Sequence, residues 1–374
     1  MPLFSTTRRI NLALQGGGAH GAFTWGVLDR LLEESTIELG WVSGTSAGAI
    51  NAVALAGGLA AGSRQQAREV LRAVWAAVEA AGMPDFVRLN PFLYGMSKAS
   101  SLNIGAYLSP YEFNPLGFDP LAKLLEAHID FTAIRSKPGI ELLIAATDAG
   151  SGLPRLFRRG ELTVEAVLAS ACLPQIHHAV EIGGRAYWDG GYSANPDVLT
   201  LATESPVADT LIVQLNPLDR ATHPRTARDI AGQIGIITFS QPLLRDIGAI
   251  VTAQDELGRR WFGAGGGRLA RIARHRFHVV EAGRYTSGLA ADSKMTPERG
   301  LFAYLFDAGR TEMARWLERH RGDIGKRQSV NLRQRYLERP RERLGAAEAA
   351  PGPGAGPEDG SPGAALAEAT SNRI

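Results

Sequence analysis

Residues 41–50 (WVSGTSAGAI) constrain the fold of this chain most, because an apolar strand there runs directly into a Gly-x-Ser-x-Gly sequence. The glycines accept strained backbone angles and let neighbouring chain pass closely, which is typical of a sharp turn from a strand into a helix. Residues 47–62 are almost all small or aliphatic, with Asn51 as the main polar interruption. They predict a closely packed helix whose positive N-terminal end points at Ser46. The pentapeptide alone is equally compatible with a turn that has no chemical role.

A second strand, glycine-rich turn and helix lie close to the N-terminus. Residues 10–14 are apolar and predict a buried strand, and residues 16–21 (GGGAHG) predict the turn that follows it. Residues 22–34 then carry apolar side chains at a helical period. Two successive units of this kind indicate an α/β fold.

The glycine-rich turn has two interpretations. It satisfies Gly-x-Gly-x-x-Gly, and Glu38 lies 20 residues beyond Gly18, so the turn could bind a dinucleotide. The acid that binds the ribose belongs at the far end of the second strand, however, whereas Glu38 precedes that strand. We therefore favour an oxyanion hole, in which the backbone N–H groups of Gly17 and Gly18 face the hydroxyl of Ser46 across adjacent strand ends.

Strands and helices continue to alternate as far as residue 216. Further buried strands are predicted at 140–148 and 210–215, and helices at 63–82, 116–128 and 163–170. This alternation predicts a mainly parallel central sheet flanked by helices. Residues 86–115 break the pattern, since they are rich in Pro, Asn, Gly and aromatic residues. They indicate either a lid or pocket wall, or an ordinary packed insertion.

Asp189 is a candidate partner for the serine. Residues 184–188 predict a strand that ends in this aspartate, after which Gly190 and Gly191 turn the chain. The commonest role of Asp before Gly is a hydrogen bond to its own backbone. A serine nucleophile needs a base, however, and this carboxylate is held on a short rigid turn.

Three of these stretches together resemble the signature blocks of the patatin-like phospholipases, namely residues 16–21, 44–48 and 189–191. Residues 169–174 (ASACLP) are similar to the small-residue and proline block of the same family. The resemblance covers residues 10–216 in the order and spacing of the family, and it is specific as a set.

Beyond residue 216, the chain is more weakly similar to the C-terminal extension of bacterial members of the family, at residues 293–295 and 309–317. The resemblance implies an α/β catalytic core at 10–216 and a helical C-terminal extension at 217–344 that completes the domain. The remaining segment, 345–374, is rich in Ala, Gly, Pro and Glu, and we expect it to be a disordered tail.

By this resemblance, Ser46 is the nucleophile and Asp189 is its proton acceptor in a two-residue dyad. The resemblance also implies an oxyanion hole at Gly16, Gly17, Gly18, Ala19 and Gly21, a nucleophile turn at Gly44, Thr45, Ala47 and Gly48, and an aspartate turn at Gly190 and Gly191. One position departs from the family pattern, because many members carry Arg or Lys where this chain has His20. A neutral imidazole there would weaken the positive potential near the oxyanion and change the head-group preference or the pH dependence.

Such a mechanism requires no metal and no cofactor. The eight histidines form no His-x-x-x-His or Cys/His cluster, and the single cysteine, Cys172, excludes an internal disulfide. Residues 1–9 contain no apolar signal core, and no stretch of about 18 uncharged apolar residues occurs. We expect a cytoplasmic protein that contacts membranes, if at all, from their surface.

Basic residues concentrate in the C-terminal third, although the formal net charge of the whole chain is only +2. Residues 259–276 hold six arginines and no acidic residue, and residues 315–343 hold ten Lys and Arg against four acids. Such runs are usually solvated helix faces, but they also suit an anionic lipid surface. Nucleic acid is a less suitable partner, because no recognition module accompanies the charge. Residues 229–251 are apolar but interrupted by Pro242 and Arg245, and we interpret them as core or pocket wall rather than a membrane span.

The sequence therefore predicts a lipid acyl hydrolase of the phospholipase A or lysophospholipase type. An intracellular polyhydroxyalkanoate depolymerase, or another carboxylesterase, is the main alternative on the same site. Two other classes of protein can be distinguished from a lipid hydrolase by simple measurements. A dinucleotide-binding oxidoreductase would show cofactor absorbance, and a non-catalytic lipid-binding scaffold would bind liposomes equally well after Ser46→Ala.

Overall fold

The central feature of the computed structural model is a mixed β-sheet. The residues that the structure describes are 8–81, 109–117, 119–218, 224–259, 267–286, 289, 294 and 299–338. Most of the aromatic-rich segment at 86–115 and all of the expected tail at 345–374 lie outside these residues.

Eight strands of the described chain form this sheet. They are β1 Arg8–Leu14, β2 Ile37–Thr45, β3 Leu142–Asp148, β4 Pro154–Arg158, β5 Val180–Ile182, β6 Arg185–Asp189, β7 Asp209–Gln214 and β8 Arg276–Glu281. Their order is β5-β6-β3-β2-β1-β7-β8, and β4 pairs with β3 outside this path. The pairs among β1, β2, β3, β7 and β8 are parallel, whereas β4, β5 and β6 pair antiparallel. The predicted α/β fold with a mainly parallel central sheet is confirmed.

Helices cover both faces of the sheet. Those of the described chain are α1 Gly21–Leu32, α2 Ala47–Ala61, α3 Arg64–Ala81, α4 Pro110–Phe113, α5 Pro120–His128, α6 Phe131–Ser136, α7 Val164–Ser170, α8 Leu199–Glu204, α9 Ala227–Arg259, α10 Arg268–Arg274, α11 Gly283–Thr286 and α12 Arg299–His320. A π-helical turn, Arg333–Leu337, follows them. The predicted helical C-terminal part is therefore present, and it also contributes strand β8.

The strands are apolar on both sides because each face has its own hydrophobic cluster. In β1, Leu12 and Leu14 belong to the cluster formed with α1, α2, α3 and α12, whereas Ala13 belongs to the cluster formed with α8 and α9. Successive side chains of a strand point to opposite faces, so this division follows from the pleat. The near-continuous apolar sequence of β1 and β3 is what a parallel sheet buried on both faces requires.

Helix α9 is long, and its two halves lie in different environments: the C-terminal half is in the core and the N-terminal half is partly exposed. It runs unbroken through Pro242, and Leu243, Ile247 and Ile250 in its C-terminal half are buried in the second cluster. Among the described residues it contains one stretch, Asp229–Leu257, that by length and composition could cross a membrane. Only 39% of the apolar window of that stretch is buried, because the N-terminal half of α9 is partly exposed.

Residues up to Leu337 form one compact unit, and Glu338–Ile374 is a second. Apart from Glu338, the second unit lies outside the described residues. The disordered tail that the composition suggests stays a prediction.

Candidate active site

The sheet register brings the three motif-bearing turns to one edge. Leu14 at the end of β1 pairs with Gly44 of β2, so the glycine-rich turn and the serine turn begin at the same level. On the other side of β2, Thr45 pairs with Ala145 of β3. The following residue of β3, Ala146, pairs with Asp189 at the end of β6. The end of β6 therefore lies level with the turn after β2, although β6 runs in the opposite direction.

Ser46 occupies a strained turn between β2 and α2. Its φ of 54° and ψ of −122° make it the one non-glycine residue of positive φ in the described part of the chain. Such strain persists only where surrounding contacts enforce it, and it concentrates at functional sites. The Ser46 N–H donates to Oγ of Ser170 at 2.9 Å, and its carbonyl accepts the first hydrogen bonds of α2, from Ala49 and Ile50. The backbone of the serine is thus fixed while its hydroxyl faces the cavity.

Glycines around this turn are required by close backbone approach. A Cβ on Gly44 would lie 2.6 Å from the carbonyl oxygen of Gly48, and one on Gly48 would collide with the carbonyl of Leu14. A Cβ on Gly16 would lie 2.9 Å from the Cβ of Ser46. The two glycine motifs therefore pack directly against each other, which the spacing in the sequence did not reveal.

Asp189 is completely buried at the end of β6 and is held by three hydrogen bonds. Its N–H donates to the carbonyl of Cys172 at 2.7 Å, and its own carbonyl accepts from Oγ1 of Thr147 at 2.8 Å. Its Oδ1 accepts the N–H of Gly191 at 2.7 Å, which is the turn bond that Asp before Gly usually makes. The turn role and the candidate base role therefore use different oxygens of one carboxyl group.

The second oxygen, Oδ2, is buried and accepts no hydrogen bond from a described residue. The Ser46 hydroxyl lies close enough to the carboxyl group to favour the charged form of Asp189. Burial nevertheless dominates and raises the pKa of Asp189 to about 7. A carboxyl group tuned in this way can accept a proton near neutral pH.

Two of the backbone N–H groups predicted for the oxyanion hole are engaged within the protein. The Gly16 N–H donates to Oδ1 of Asn195 at 2.8 Å, and the Gly21 N–H donates to the carbonyls of Gly18 and Ala19. These bonds shape the turn. The N–H groups of Gly16 and Gly21 are therefore not available to an oxyanion, and the two glycines contribute only to the geometry of the turn.

Gly17 and Gly18 have two of the three other candidate N–H groups of this turn, the third being that of Ala19. Both glycines line the same cavity as Ser46, and no described residue accepts a hydrogen bond from either N–H. Gly18 has a φ of 56°, which is accessible to glycine with little strain. The N–H groups of Gly17 and Gly18 therefore stay the candidate donors that the sequence favoured.

Asn51 connects the two turns, although the sequence marked it only as a polar interruption of an apolar helix. Its Nδ2 donates to the carbonyls of Gly21 and Ala47, at 3.1 and 3.0 Å. Its Oδ1 accepts the indole N–H of Trp75 at 3.0 Å. A fully satisfied buried amide of this kind holds the helix starts of α1 and α2 in fixed relation.

The departure at His20 has an electrostatic consequence in the structure. Burial, and to a smaller extent the positive charge of Lys294, lower the pKa of His20 to about 3, so the imidazole is neutral at physiological pH. Lys294 lines the same cavity as His20 and Ser46. In the sequence, Lys294 belongs only to a stretch that is weakly similar to the C-terminal extension of bacterial family members, and no role could be predicted for it.

The cavity above Ser46 has a volume of about 230 Å³ and a mostly apolar wall. Helix α9 supplies Gly232, Gly235, Ile236 and Phe239 to that wall, and Asp189 lies at its base beside the serine. The N-terminal half of α9 is therefore pocket wall and its C-terminal half is core. An apolar wall beside a polar base suits an acyl chain attached to an ester.

The arginines of the basic segment around α10 make specific contacts. Arg268 forms an ion pair with Glu204 at 3.2 Å, and Arg271 donates to the carbonyl of the same residue at 2.7 Å. Arg276 pairs with the buried carboxylate of Asp209 at 2.6 Å, whereas Arg274 is exposed. Part of the predicted basic surface thus stabilises the fold. Among the described residues, no group of three or more His, Cys, Asp or Glu side chains could hold a metal ion.

Comparison with known proteins identifies the family. Residues 12–202, a little over half of the chain, match the model of the family described as Patatin-like phospholipase. The chain belongs to the patatin-like phospholipase family. The resemblance found in the sequence is confirmed, and membership supports lipid acyl hydrolysis as the class of activity.

Two solved structures of low sequence identity are similar to the chain. VipD from Legionella pneumophila is 12% identical, with coverage of 92% of this chain and 74% of VipD, at a TM-score of 0.38. The type III effector protein ExoU is 17% identical, with coverage of 87% and 77% respectively, at a TM-score of 0.25. No curated protein matches the chain.

Proposed function

We propose that this protein hydrolyses acyl esters of lipids, with Ser46 as the nucleophile and Asp189 as the proton acceptor. The observation that carries the proposal is the completely buried carboxyl group of Asp189, which lines the same cavity as Ser46 and whose Oδ2 accepts no hydrogen bond from a described residue. A fixed serine, a carboxyl group of raised pKa and an adjacent pair of N–H donors supply the parts of an acyl-transfer site.

The reaction has two halves. Oγ of Ser46 attacks the ester carbonyl carbon while Oδ2 of Asp189 takes the hydroxyl proton. The C–O bond to the leaving alcohol then breaks, and Asp189 returns the proton to that alcohol. Water next attacks the acyl-serine, giving its proton to Asp189, and the fatty acid leaves as Ser46 recovers its proton. Each oxyanion accepts hydrogen bonds from the N–H groups of Gly17 and Gly18, and loss of one such donor typically costs about 100- to 1,000-fold in kcat.

Activity measurements on matched variants test this proposal. Ser46→Ala and Asp189→Asn are each expected to abolish hydrolysis of a lysophospholipid, a monoacylglycerol and a soluble p-nitrophenyl ester. The wild-type protein should hydrolyse the same esters in excess chelator. Substitution of His177 or His178 should leave substantial activity, since neither lines the cavity. Total loss with either histidine variant, or loss of wild-type activity on chelation, would refute the dyad. A polyhydroxybutyrate substrate in the same panel distinguishes the depolymerase alternative.

Thermal unfolding provides the folding control for Asp189→Asn. The folded pKa of Asp189 is raised to about 7, above the unfolded value, so burial of the carboxylate costs stability increasingly as the pH rises from about 4 to 7. At pH 8 the asparagine variant is therefore expected to unfold at the same temperature as the wild type or a higher one. If the variant is inactive at that stability, its inactivity results from the loss of the carboxylate and not from unfolding.

We propose further that the protein contacts an anionic lipid surface through the N-terminal half of α9. Ile230, Ile234 and Ile237 lie on one exposed stripe of this half, and Ile234 is 58% exposed. Neighbouring residues of the same half line the cavity, so a lipid surface against the stripe would lie beside the mouth of the site. The exposed Arg225, two residues before the start of α9, adds an attraction to anionic lipid that salt would screen.

A further inference from the structure

Helix α9 presents two glycines to the cavity that contains Ser46. Gly232, Gly235, Ile236 and Phe239 all line this cavity, and their spacing of three and four residues places them on one face of the helix. A glycine inside a helix makes it less stable than an alanine would, because glycine loses more backbone freedom on folding. The glycines on this face therefore need a reason other than helix stability.

Packing does not require a glycine at position 235. A Cβ on Gly235 would meet no described atom within 4 Å, whereas a Cβ on Gly44, beside the serine, would lie 2.6 Å from a carbonyl oxygen. Gly235 also lies inside a helix and is not among the described glycines of positive φ, so its backbone angles suit any residue. The missing side chain at Gly235 therefore leaves open space in the wall of the cavity.

The residues that follow Gly235 give this open space a direction. One helical turn later, the ring of Phe239 packs on Tyr192 at a centroid distance of 4.8 Å, and it leaves no room for a side chain at Gly191. Farther along α9, Leu243 is buried in the core. A ligand chain that starts at the nucleophile is therefore blocked towards the C-terminal end of α9, whereas the path past Gly235 towards the N-terminal end is open.

We propose that Gly235 makes the cavity selective for long, unbranched acyl chains, which run from Ser46 along α9 through the space that the missing side chain leaves. The inference rests on the proposed hydrolase function and adds the acyl chain length that the site prefers. Gly235 lies about 6 Å along the helix axis from Phe239, at a rise of about 1.5 Å per residue. A dodecanoyl chain is long enough to pass this point, and a butanoyl chain is not. The additional methylenes of the longer chain contact an apolar wall and strengthen binding.

Esters that differ only in the acyl chain test this role. The ratio of kcat/KM for p-nitrophenyl dodecanoate to that for p-nitrophenyl butanoate is measured on wild type, Gly235→Ala and Gly235→Leu, with both esters below their micelle concentrations. The wild type should prefer the dodecanoate. We expect Gly235→Leu to lower the ratio by at least about 10-fold, because several methylenes lose their contacts, and Gly235→Ala to lower it less. A wild-type preference for the butanoate would overturn the proposal, and so would an unchanged ratio in Gly235→Leu, even if both kcat/KM values fell together.

Gly248→Leu is the matched control. Gly248 lies in the same helix, a Cβ on it would likewise meet no described atom within 4 Å, and it does not line the cavity. The substitution adds the same apolar side chain and the same helix propensity as Gly235→Leu, so the ratio should keep its wild-type value. An equal fall in the ratio for both variants would assign the effect to the helix as a whole and overturn the role of Gly235.

Binding without turnover separates this proposal from the proposed hydrolysis. The ketones 2-pentanone and 2-tridecanone match the two acyl chains and carry a carbonyl group but no scissile ester bond. Both are titrated into Ser46→Ala and into the Ser46→Ala, Gly235→Leu double variant. Weaker binding of 2-tridecanone alone in the double variant supports the acyl groove even if the wild type hydrolyses no ester, a result that would refute only the proposed function. Equal binding of 2-tridecanone by both proteins, or an equal loss for both ketones, would overturn the groove.

Discussion

Asp189 combines a structural role with its proposed role as the base because its two carboxyl oxygens have different surroundings. Oδ1 is satisfied by the N–H of Gly191, which fixes the group, whereas Oδ2 accepts no hydrogen bond from a described residue. Complete burial provides the basicity that a carboxylate in water lacks, and the short turn prevents the group from relaxing away. A serine hydrolase without a histidine base depends on both conditions.

The raised pKa of Asp189 predicts the pH dependence of catalysis. Below about pH 7 the carboxyl group holds a proton in the folded protein and cannot accept one from Ser46. The kcat/KM for a neutral, soluble ester should therefore rise as the pH increases from 5 to 8 and then level off, with an apparent pKa near 7. A profile that is flat over this range, or that falls with pH, would contradict the assignment of Asp189 as the base.

Residues at the three turns could be predicted from sequence because each depends on local chain geometry. Gly-x-Ser-x-Gly after an apolar strand, and Asp before two glycines, are readable within about ten residues. Asn195 and Lys294 could not be assigned in this way. Asn195 contacts Gly16 across 179 positions of the sequence, and Lys294 reaches Asn216 across 78. Only the folded sheet brings them to the site.

At the scale of elements, the strands with an apolar pattern and the strand that ends in Asp189 were predicted, whereas β4, β5 and β8 were not. β1, β2, β3 and β7 lie where apolar runs indicated them, although their ends differ by a few residues. β5 has only three residues, and β8 begins at Arg276, the last arginine of the segment that suggested a basic surface instead. Arg276 and His278 both pair with the buried Asp209 of β7, so these two polar side chains are satisfied inside the sheet.

The exposed isoleucines of helix α9 give a testable prediction about lipid binding. Replacement of Ile234 and Ile237 by serine removes two exposed apolar side chains, each worth about 1.5–3 kcal/mol when fully buried. We expect the double variant to lower the ratio of activity on anionic vesicles to activity on a soluble ester by about 10-fold or more. Leu153→Ser is the matched control, because Leu153 is 66% exposed and does not line the cavity.

Flotation with vesicles separates the apolar and the electrostatic contributions. Binding through the isoleucines should persist as salt rises, whereas attraction to Arg225 should weaken, since the screening length at physiological ionic strength is about 8 Å. Equal vesicle activity in the double variant and the wild type would argue against α9 as the docking face.

At the scale of the whole molecule, the site exists because the sheet is mixed. Parallel β1 and β2 place the glycine-rich turn and the serine turn at their carboxyl ends, where α/β proteins usually bind ligands. Antiparallel β6 then returns along β3 and ends at the same level, which places Asp189 beside Ser46. The α/β class and the three turns were predictable, but this reversal was not, because the strand before Asp189 could be predicted whereas its direction relative to β3 could not.

Covalent labelling of Ser46 tests the central claim most directly. A fluorophosphonate reacts with a serine only where a base and oxyanion donors activate the hydroxyl, and its adduct can be mapped by peptide mass spectrometry. We predict a single adduct on Ser46 in the wild-type protein, loss of labelling in Ser46→Ala, and strongly slowed labelling in Asp189→Asn. An adduct on another residue, or labelling of Asp189→Asn at the wild-type rate, would contradict the Ser46–Asp189 mechanism.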